Sequence, residues 1–256
     1  KLHLELAGDA CVIQFVGISH KDKNASVLAE GQRLVSGVEK NGHLVFEIDA
    51  PATDKDILGF VLQVRGKAQL FDAYYFTEIE EDAINPVKLA LSTTTFKKEQ
   101  YIVPNIELVK REVLASDDPV AKAFHLFVVD NGCTLDAAAL SDDGVTVLPN
   151  KNVGGAGGFA RGMMEALSRD GGFTHILLMD DDVKVSSESL KRTYNLLALA
   201  QGKYRNAFIN GAMLAIEEPN LQFEDVSYVI KSGAYRRIKD DYYIDETTDI
   251  AENEAV

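Results

Sequence analysis

The first third of the chain alternates apolar and polar positions in short runs. Such runs occur at Cys11–Ile18, His43–Ile48, Ile57–Val64 and Ala68–Phe76. Turn-forming stretches separate them at Lys21–Asn24, Asn41-Gly42, Ala50–Asp54 and Arg65-Gly66. Several short strands at this spacing predict an antiparallel β-sandwich or barrel over residues 1–86. The pattern changes near Asn85-Pro86. Val87–Leu91, Phe124–Val129, Val145–Leu148 and His175–Met179 are apolar runs of strand length, and a further strand is expected to begin at Ala207–Ile209. Between them lie helical stretches: one after Ser92–Thr95, broken or restarted at Pro104 and continuing through Arg111, one at Gly157–Ser168 and one at Ser186–Ala200. Buried strands alternating with helices predict an α/β domain over residues 87–256, with a mostly parallel sheet covered on both faces. Lys239–Val256 is acidic and weakly patterned, the signature of a mobile loop or a truncated element.

In such a sheet, ligands bind beyond the carboxyl ends of the strands. The polar clusters in those positions are Ser92–Thr95, Asp130–Gly132, Pro149–Gly158 and Asp180–Asp182. They are scattered in sequence and expected to converge in space.

Composition narrows the ligand. With 256 residues, 46% hydrophobic and 26% charged, the chain can bury a sizeable core. A net charge of −14 excludes a nucleic-acid partner, which needs a basic face. A nucleotide needs only local positive charge and aimed N–H groups, so it stays open. Cys11 and Cys133 stand far apart, in no disulfide or zinc spacing, which fits a reducing, cytoplasmic setting. No apolar run approaches the roughly 20 residues of a membrane span. The chain starts at Lys1 and not Met, as a piece of a longer protein would.

Two motifs carry the chemistry. The first is Asp180-Asp181-Asp182, directly after the apolar run Ile176–Met179. Three adjacent carboxylates repel one another unless solvated or neutralised by a hard cation such as Mg²⁺ or Mn²⁺. In extended backbone, side chains i and i+2 share a face. Asp180 and Asp182 are therefore the expected metal ligands, with Asp181 directed elsewhere. Mg²⁺ commonly pairs one or two protein carboxylates with substrate phosphates, so a diphosphate is the natural other half of the site. Read without a ligand, the same triplet is an acidic turn before the next helix.

The second motif runs from Asn152 through Gly154-Gly155-Ala156-Gly157-Gly158 to Arg161. Glycines let backbone approach an anion at a helix N-terminus. Arg161 is expected in the first turns, and Phe159, Met163, Ala166 and Leu167 are expected to face the core. The ligand-free reading is a turn that packs a helix tightly on the sheet. Gly155–Ala160 also fits a G-x-G-x-x-A dinucleotide fingerprint. It follows the third strand, not the first, and the next strand ends in three acids instead of one, which disfavours a nicotinamide dehydrogenase. Thr95 and Phe96 are placed to hold a planar base, Asp130 and Asn131 to read a base edge or ribose, and Lys98 to balance phosphate charge.

The order of these motifs resembles family 2 glycosyltransferases of the GT-A fold, and among them the galactofuranosyltransferases that extend cell-surface galactan. The resemblance rests on Leu89–Lys98, Phe127–Gly132, Pro149–Arg161, Leu178–Asp182 and Gly211–Leu214, and is specific over Val87–Pro219. It implies a Rossmann-like GT-A domain, incomplete at its C-terminus, behind an N-terminal β-sandwich. It implies Thr95, Phe96 and Lys98 by the uridine, Asn131 at the nucleotide, Asn152 near the diphosphate, Asp181 near the donor sugar, and Mn²⁺ or Mg²⁺ on Asp180 and Asp182. The implied reaction is inverting transfer from UDP-galactofuranose to a glycan or lipid-linked glycan. A homo-oligomer and peripheral association with the inner membrane face are compatible with it. The family's catalytic base and a metal-completing His lie beyond the triple Asp, and no counterpart stands before Val256. Glu217, Glu218, Asp240, Asp241 and Asp245 are acids that no motif selects. Lys98 stands where Arg is commoner. Another donor such as dTDP-rhamnose, and a non-catalytic glycan- or partner-binding module, are the rival readings.

Overall fold

Residues Leu2–Gly8 (β1), with leucines at every second position, form a strand that turn signals do not mark. The computed structural model describes residues 1–21, 24–35, 37–224 and 226–253. Asp22 and Lys23 of the turn expected at Lys21–Asn24, and the last three residues of the Lys239–Val256 stretch, lie outside them. The chain divides into two units, Lys1–Glu78 with Asn210–Val256, and Ile79–Ile209.

In the first unit, β1 is followed by Cys11–Ile18 (β2), Ser26–Val27 (β3), Gln32–Leu34 (β4), Val38–Lys40 (β5), His43–Ile48 (β6), Ile57–Val64 (β7) and Ala68–Tyr75 (β8). They form two antiparallel sheets, β5-β6-β1-β8 and one in which β2 pairs with β3, β4 and β7. Leu2, Leu4 and Leu6 of β1 and Phe46 and Ile48 of β6 share one hydrophobic cluster with Cys11, Ile13 and Phe15 of β2 and Leu34 of β4. The two-residue connection between β5 and β6 is Asn41-Gly42, both with positive φ (54° and 81°), as a type I′ hairpin turn requires.

The second unit holds Leu89–Thr95 (β9), Glu99–Val109 (α1), Phe124–Asp130 (β10), Ala137–Leu140 (α2), Val145–Pro149 (β11), Gly154–Ser168 (α3), His175–Asp180 (β12) and Ser187–Leu199 (α4). The four strands are parallel in the order β11-β10-β9-β12. The chain winds outward from β9 to β11 and then crosses back to the other side of β9. That reversal makes a topological switch point between β9 and β12, where α/β sheets open a ligand crevice.

The strand alternation assigns the two faces. Leu89, Leu91, Leu126, Val128, Val145 and Val147 pack with Ile102, Ile106 and Val109 of α1 and Leu190 and Leu197 of α4. Ala90 and Phe127 pack on the other face with Ala166 of α3, joined by Leu148, Phe173 and Ile176. Pro104 lies inside α1 without breaking it.

The structure corrects three expectations. β9 runs on through Ser92–Thr95, where the hydropathy pattern predicts the strand's end; Thr favours strands, and Ser92–Thr94 have partners on both sides and Thr95 on the β10 side. Helix α3 begins at Gly154, not Gly157, and buries Gly158, Gly162 and Ala166, while Leu167 is exposed. Ala207–Ile209 forms no strand, and Phe208 is fully exposed. A three-residue apolar run without a neighbour to pair with has nothing to hold it extended.

The remaining elements are Met213–Leu214 (β13), Leu221–Glu224 (β14), Ser227–Val229 (β15), Tyr235–Arg237 (β16), Tyr242–Tyr243 (β17) and Thr247–Asn253 (α5). β13, β14 and β17 form one small sheet, β15 and β16 a hairpin. The described part of the acidic stretch is thus ordered: Lys239 donates to the backbone and side-chain oxygens of Asn253, and Asp249 accepts from Tyr243 N–H.

On the α3 face of β10, His125 is buried, at 5% exposure. Its Nδ1 lies 3.3 Å from Arg169 NH1 and its Nε2 2.8 Å from Thr146 Oγ1, to which Arg169 NH2 also donates. Arg can only donate, so Nδ1 accepts and the ring is neutral. Burial first, and the Arg169 charge second, push the His125 pKa down to about 4 from 6.5. Between those values the unfolded chain binds the extra proton, so stability is intact above about pH 6.5 and falls as pH drops toward 4. The full loss is on the order of 3 kcal/mol. Urea unfolding near pH 5 is expected to show a lower midpoint than near pH 7.5. In His125→Gln most of that difference should vanish; an equal difference in the variant would assign it to other groups.

Candidate functional site

The carboxyl ends of the strands are stitched together by backbone. Asn131 N–H donates to Thr95 O and Asn150 N–H to Asp130 O, each at 2.9 Å, tying β9 to β10 and β10 to β11. Around this rim the four clusters of the second unit meet.

Thr95 ends β9 and is 2% exposed, and its Oγ1 is buried without a hydrogen-bond partner. Phe96 follows, half-exposed, with Lys97 Nζ 5.3 Å from its ring centre. Lys97 adopts the left-handed conformation (φ 56°), which bends the chain at the end of β9. Lys98 Nζ then donates to Asp182 Oδ2 at 2.8 Å and to Asp181 Oδ1 at 3.3 Å. Hydrogen bonds to Asp182 and then Asp181 hold the Lys98 ammonium above its ordinary value, and the bond from Lys98 holds the Asp182 carboxyl below its own. The lysine expected to face a phosphate thus lies on the aspartates.

Within the triplet, Asp180 and Asp182 are exposed and Asp181 is 7% exposed. The strand ends at Asp180, and Asp181 and Asp182 already belong to a turn. Among the described residues no group of three or more His, Cys, Asp or Glu is placed to hold a metal ion by itself. Two exposed carboxylates, hard oxygen donors, fit a small divalent cation only when a ligand such as a diphosphate supplies further oxygens.

Asp130, fully buried, spends most of its capacity on its own loop. Oδ1 accepts from Gly132 N–H at 2.9 Å, and Oδ2 accepts from Thr134 and Leu135 N–H at 2.7 and 2.8 Å. Three N–H groups thus hold the carboxylate, and with no exposed surface its observed work is to fix the loop after β10. Asn131, 5% exposed, accepts from Asn150 Nδ2 at 2.8 Å and donates to Gly154 O at 3.2 Å. Its amide clamps the β10 loop to the β11 loop and to the first residue of α3. Asn150 lies in the strand-end cluster Pro149–Gly158, but no motif gives it a role of its own.

The glycine-rich turn separates into two parts. Asn152 Oδ1 accepts from Gly154 N–H at 3.0 Å, and Gly154 has φ +75°. Gly155 faces open space: a methyl group added there would have no neighbour within 4 Å. Gly158 and Gly162 serve packing: a Cβ on them would lie 2.2 Å from Thr94 Cγ2 and 2.0 Å from Ser92 Oγ respectively. Arg161 falls at the end of the second turn. It lies seven residues into α3, about 10 Å from the N-terminus, and pairs with Glu165 one turn further on.

One residue that supports the site lies outside the motifs altogether. Asn105 of α1 holds the segment after Asp182 through two hydrogen bonds, to Val183 O and from Val185 N–H. Its only signal in the sequence is a lone amide in the apolar stripe Ile102, Ile106, Val109. Of the unselected acids, Asp241 pairs with Arg237 and Asp245 accepts from Asn220.

The architecture is mixed α/β, with a parallel sheet whose strand order is consistent with a Rossmann-like domain. Within that class, the chain is distantly similar over most of its length to galactofuranosyltransferase GlfT2 of Mycolicibacterium smegmatis (strain ATCC 700084 / mc(2)155), at 26% identity over 231 residues. That match covers 86% of this chain and 33% of the relative. GlfT2 of Mycobacterium tuberculosis (strain ATCC 25618 / H37Rv) is 33% identical over 84 residues, covering 33% of this chain and 13% of that protein. The chain therefore spans at most about a third of the length of these curated relatives. No family model matches it. Among the described residues no helix is long and apolar enough to cross a membrane.

Proposed function

We propose that this chain contains the donor-binding part of a family 2, GT-A glycosyltransferase that transfers galactofuranose from UDP-galactofuranose to a glycan or lipid-linked glycan, with inversion, behind a β-sandwich. The observation that supports the reading is that exposed Asp180 and Asp182 stand at the end of β12, with Lys98 from the end of neighbouring β9 bonded to Asp182, while an open glycine turn starts α3. The distant likeness to two galactofuranosyltransferases supports the sugar.

In this reading Phe96 stacks on the uracil ring. Thr95 and Asp130 shape the floor of the nucleoside end, Asp130 by holding the loop from Gly132 to Leu135. Asn131 acts indirectly, by fixing the start of α3. The free N–H groups near Gly155 receive the diphosphate, where the helix dipole favours negative charge. Asp180 and Asp182 are the residues that would hold Mn²⁺ or Mg²⁺. A cation bound there supplies positive charge to the departing UDP. Asp181, buried and held by Lys98, fixes the turn on the donor-sugar side. Lys98, now on Asp181 and Asp182, would be the cation nearest those carboxylates able to face a phosphate. No residue is assigned as the base that deprotonates the acceptor. A membrane-face location follows only if the acceptor is lipid-linked. The test is whether the chain takes up UDP in a manner that needs a divalent cation.

A further inference from the structure

We infer that Asn105 is a positioning residue for the aspartate turn, and that cation-dependent nucleotide binding depends on it although it touches neither ligand. The inference rests on the donor-site reading above.

Asn105 stands in α1 on the stripe formed by Ile102, Ile106 and Val109, all at most 1% exposed, and is itself 6% exposed. A polar amide there is costly unless bonded. Both of its functions are used. Nδ2 donates to Val183 O at 2.6 Å, and Oδ1 accepts from Val185 N–H at 3.2 Å. Val183 follows Asp182 directly, and Val185 is packed in the same core. The segment between the turn and α4 is neither helix nor strand, so its backbone groups have no ladder to satisfy them. One rigid amide takes a carbonyl and an N–H two residues apart. That fixes the two peptides on either side of Lys184, starting one residue beyond Asp182, and so anchors the exit of the aspartate turn.

A leucine would fill the core as well but would leave two backbone groups unpaired. The amide is therefore the feature that couples a packed helix to the carboxylates at the rim. The reverse side of the same turn is held by Lys98 on Asp181 and Asp182. Lys98 can leave for a phosphate; Asn105, buried, cannot. Asn105 is the part of the support that stays when a ligand arrives.

The test uses Mn²⁺ binding, read by the loss of free-ion electron paramagnetic resonance signal in the presence of UDP, on the chain and on Asn105→Leu and Asn105→Ala. Leucine preserves volume, and alanine is a good helix former that admits water, so at least one variant should fold. Urea unfolding and circular dichroism report that. Outer-shell partners of a metal site typically change its affinity by about 10–100-fold. The expected result is Mn²⁺ affinity weaker by about tenfold or more in the folded variants, with UDP affinity in EDTA unchanged. A purely structural role would lower stability and leave the Mn²⁺ affinity of the folded protein as it was, and that result overturns the inference. Should the unaltered chain bind no Mn²⁺ with UDP, the donor-site reading fails first and the inference with it.

Discussion

Asp182→Ala is expected to weaken UDP binding in Mn²⁺ by about 100-fold, which corresponds to about 2.7 kcal/mol, and to leave UDP binding in EDTA unchanged. Asp182 is the exposed aspartate whose carboxylate already accepts a cation, the Lys98 ammonium. Its removal costs little stability, because an exposed ion pair contributes about 0–1 kcal/mol. The loss is then a binding loss, and unfolding midpoints of the two proteins should nearly coincide. The neighbours decide how the triplet divides its work. Asp180→Ala is expected to match Asp182→Ala, since Asp180 is exposed at the very end of its strand. Asp181→Ala should weaken binding less and destabilise the fold more, since Asp181 is buried on Lys98. If Asp181→Ala instead abolished cation dependence and Asp180→Ala did nothing, the ligand pair would be Asp181 and Asp182, the two that converge on Lys98.

Gly158→Val is expected to destabilise the α/β unit by about 3 kcal/mol or more, whereas Gly155→Ala should leave it as stable or firmer. The two glycines lie three residues apart in one helix. At Gly158 a Cβ would lie 2.2 Å from Thr94 Cγ2, 2.7 Å from its Oγ1 and 3.0 Å from its Cβ. Thr94 is β-branched and stiff, and its strand is held by ladders on both sides. Neither partner can yield cheaply. Even alanine, which gains up to about 1 kcal/mol in helix propensity, should lose more than that to overpacking, about 1–3 kcal/mol. At Gly155 no neighbour lies within 4 Å, so alanine gains helix propensity without a clash. Its methyl would stand where a diphosphate is to approach the backbone, and UDP affinity should fall. Urea unfolding and UDP titration of both variants check the pair. Equal UDP affinity in Gly155→Ala would mean that the turn packs a helix and does nothing more.

That contrast shows where the sequence is readable and where it is not. The parallel sheet follows from apolar runs at Phe124–Val129, Val145–Leu148 and His175–Met179, because a strand buried on both faces must be apolar at nearly every position. β9 breaks that rule. Ser92 to Thr95 are polar by composition yet lie in a central strand with little or no exposure, so a hydropathy pattern ends the strand four residues early. α3 misleads for the opposite reason. Its buried face is Gly158, Gly162 and Ala166, residues too small to register as an apolar stripe, whereas of the larger residues Phe159 and Met163 are only partly buried and Leu167 is exposed. β1 escapes although Leu2, Leu4 and Leu6 alternate, since no turn residue precedes it to mark a start. At the site, strand-end logic locates Thr95, Asp130, Asn131 and the aspartates on one rim. It does not foresee that Lys98 lies on Asp181 and Asp182, or that Asn105 and Asn150 hold the loops, because those last contacts join residues 80 and 19 positions apart and carry no local pattern.

The central claim is that this rim is a cation-assisted site for a uridine diphosphate. Calorimetric titration of UDP into the chain, first in Mn²⁺ and then in EDTA, tests it most directly. The account predicts saturable binding in Mn²⁺ that is lost or strongly weakened in EDTA. Equal binding in both, or none in either by folded chain, would contradict it.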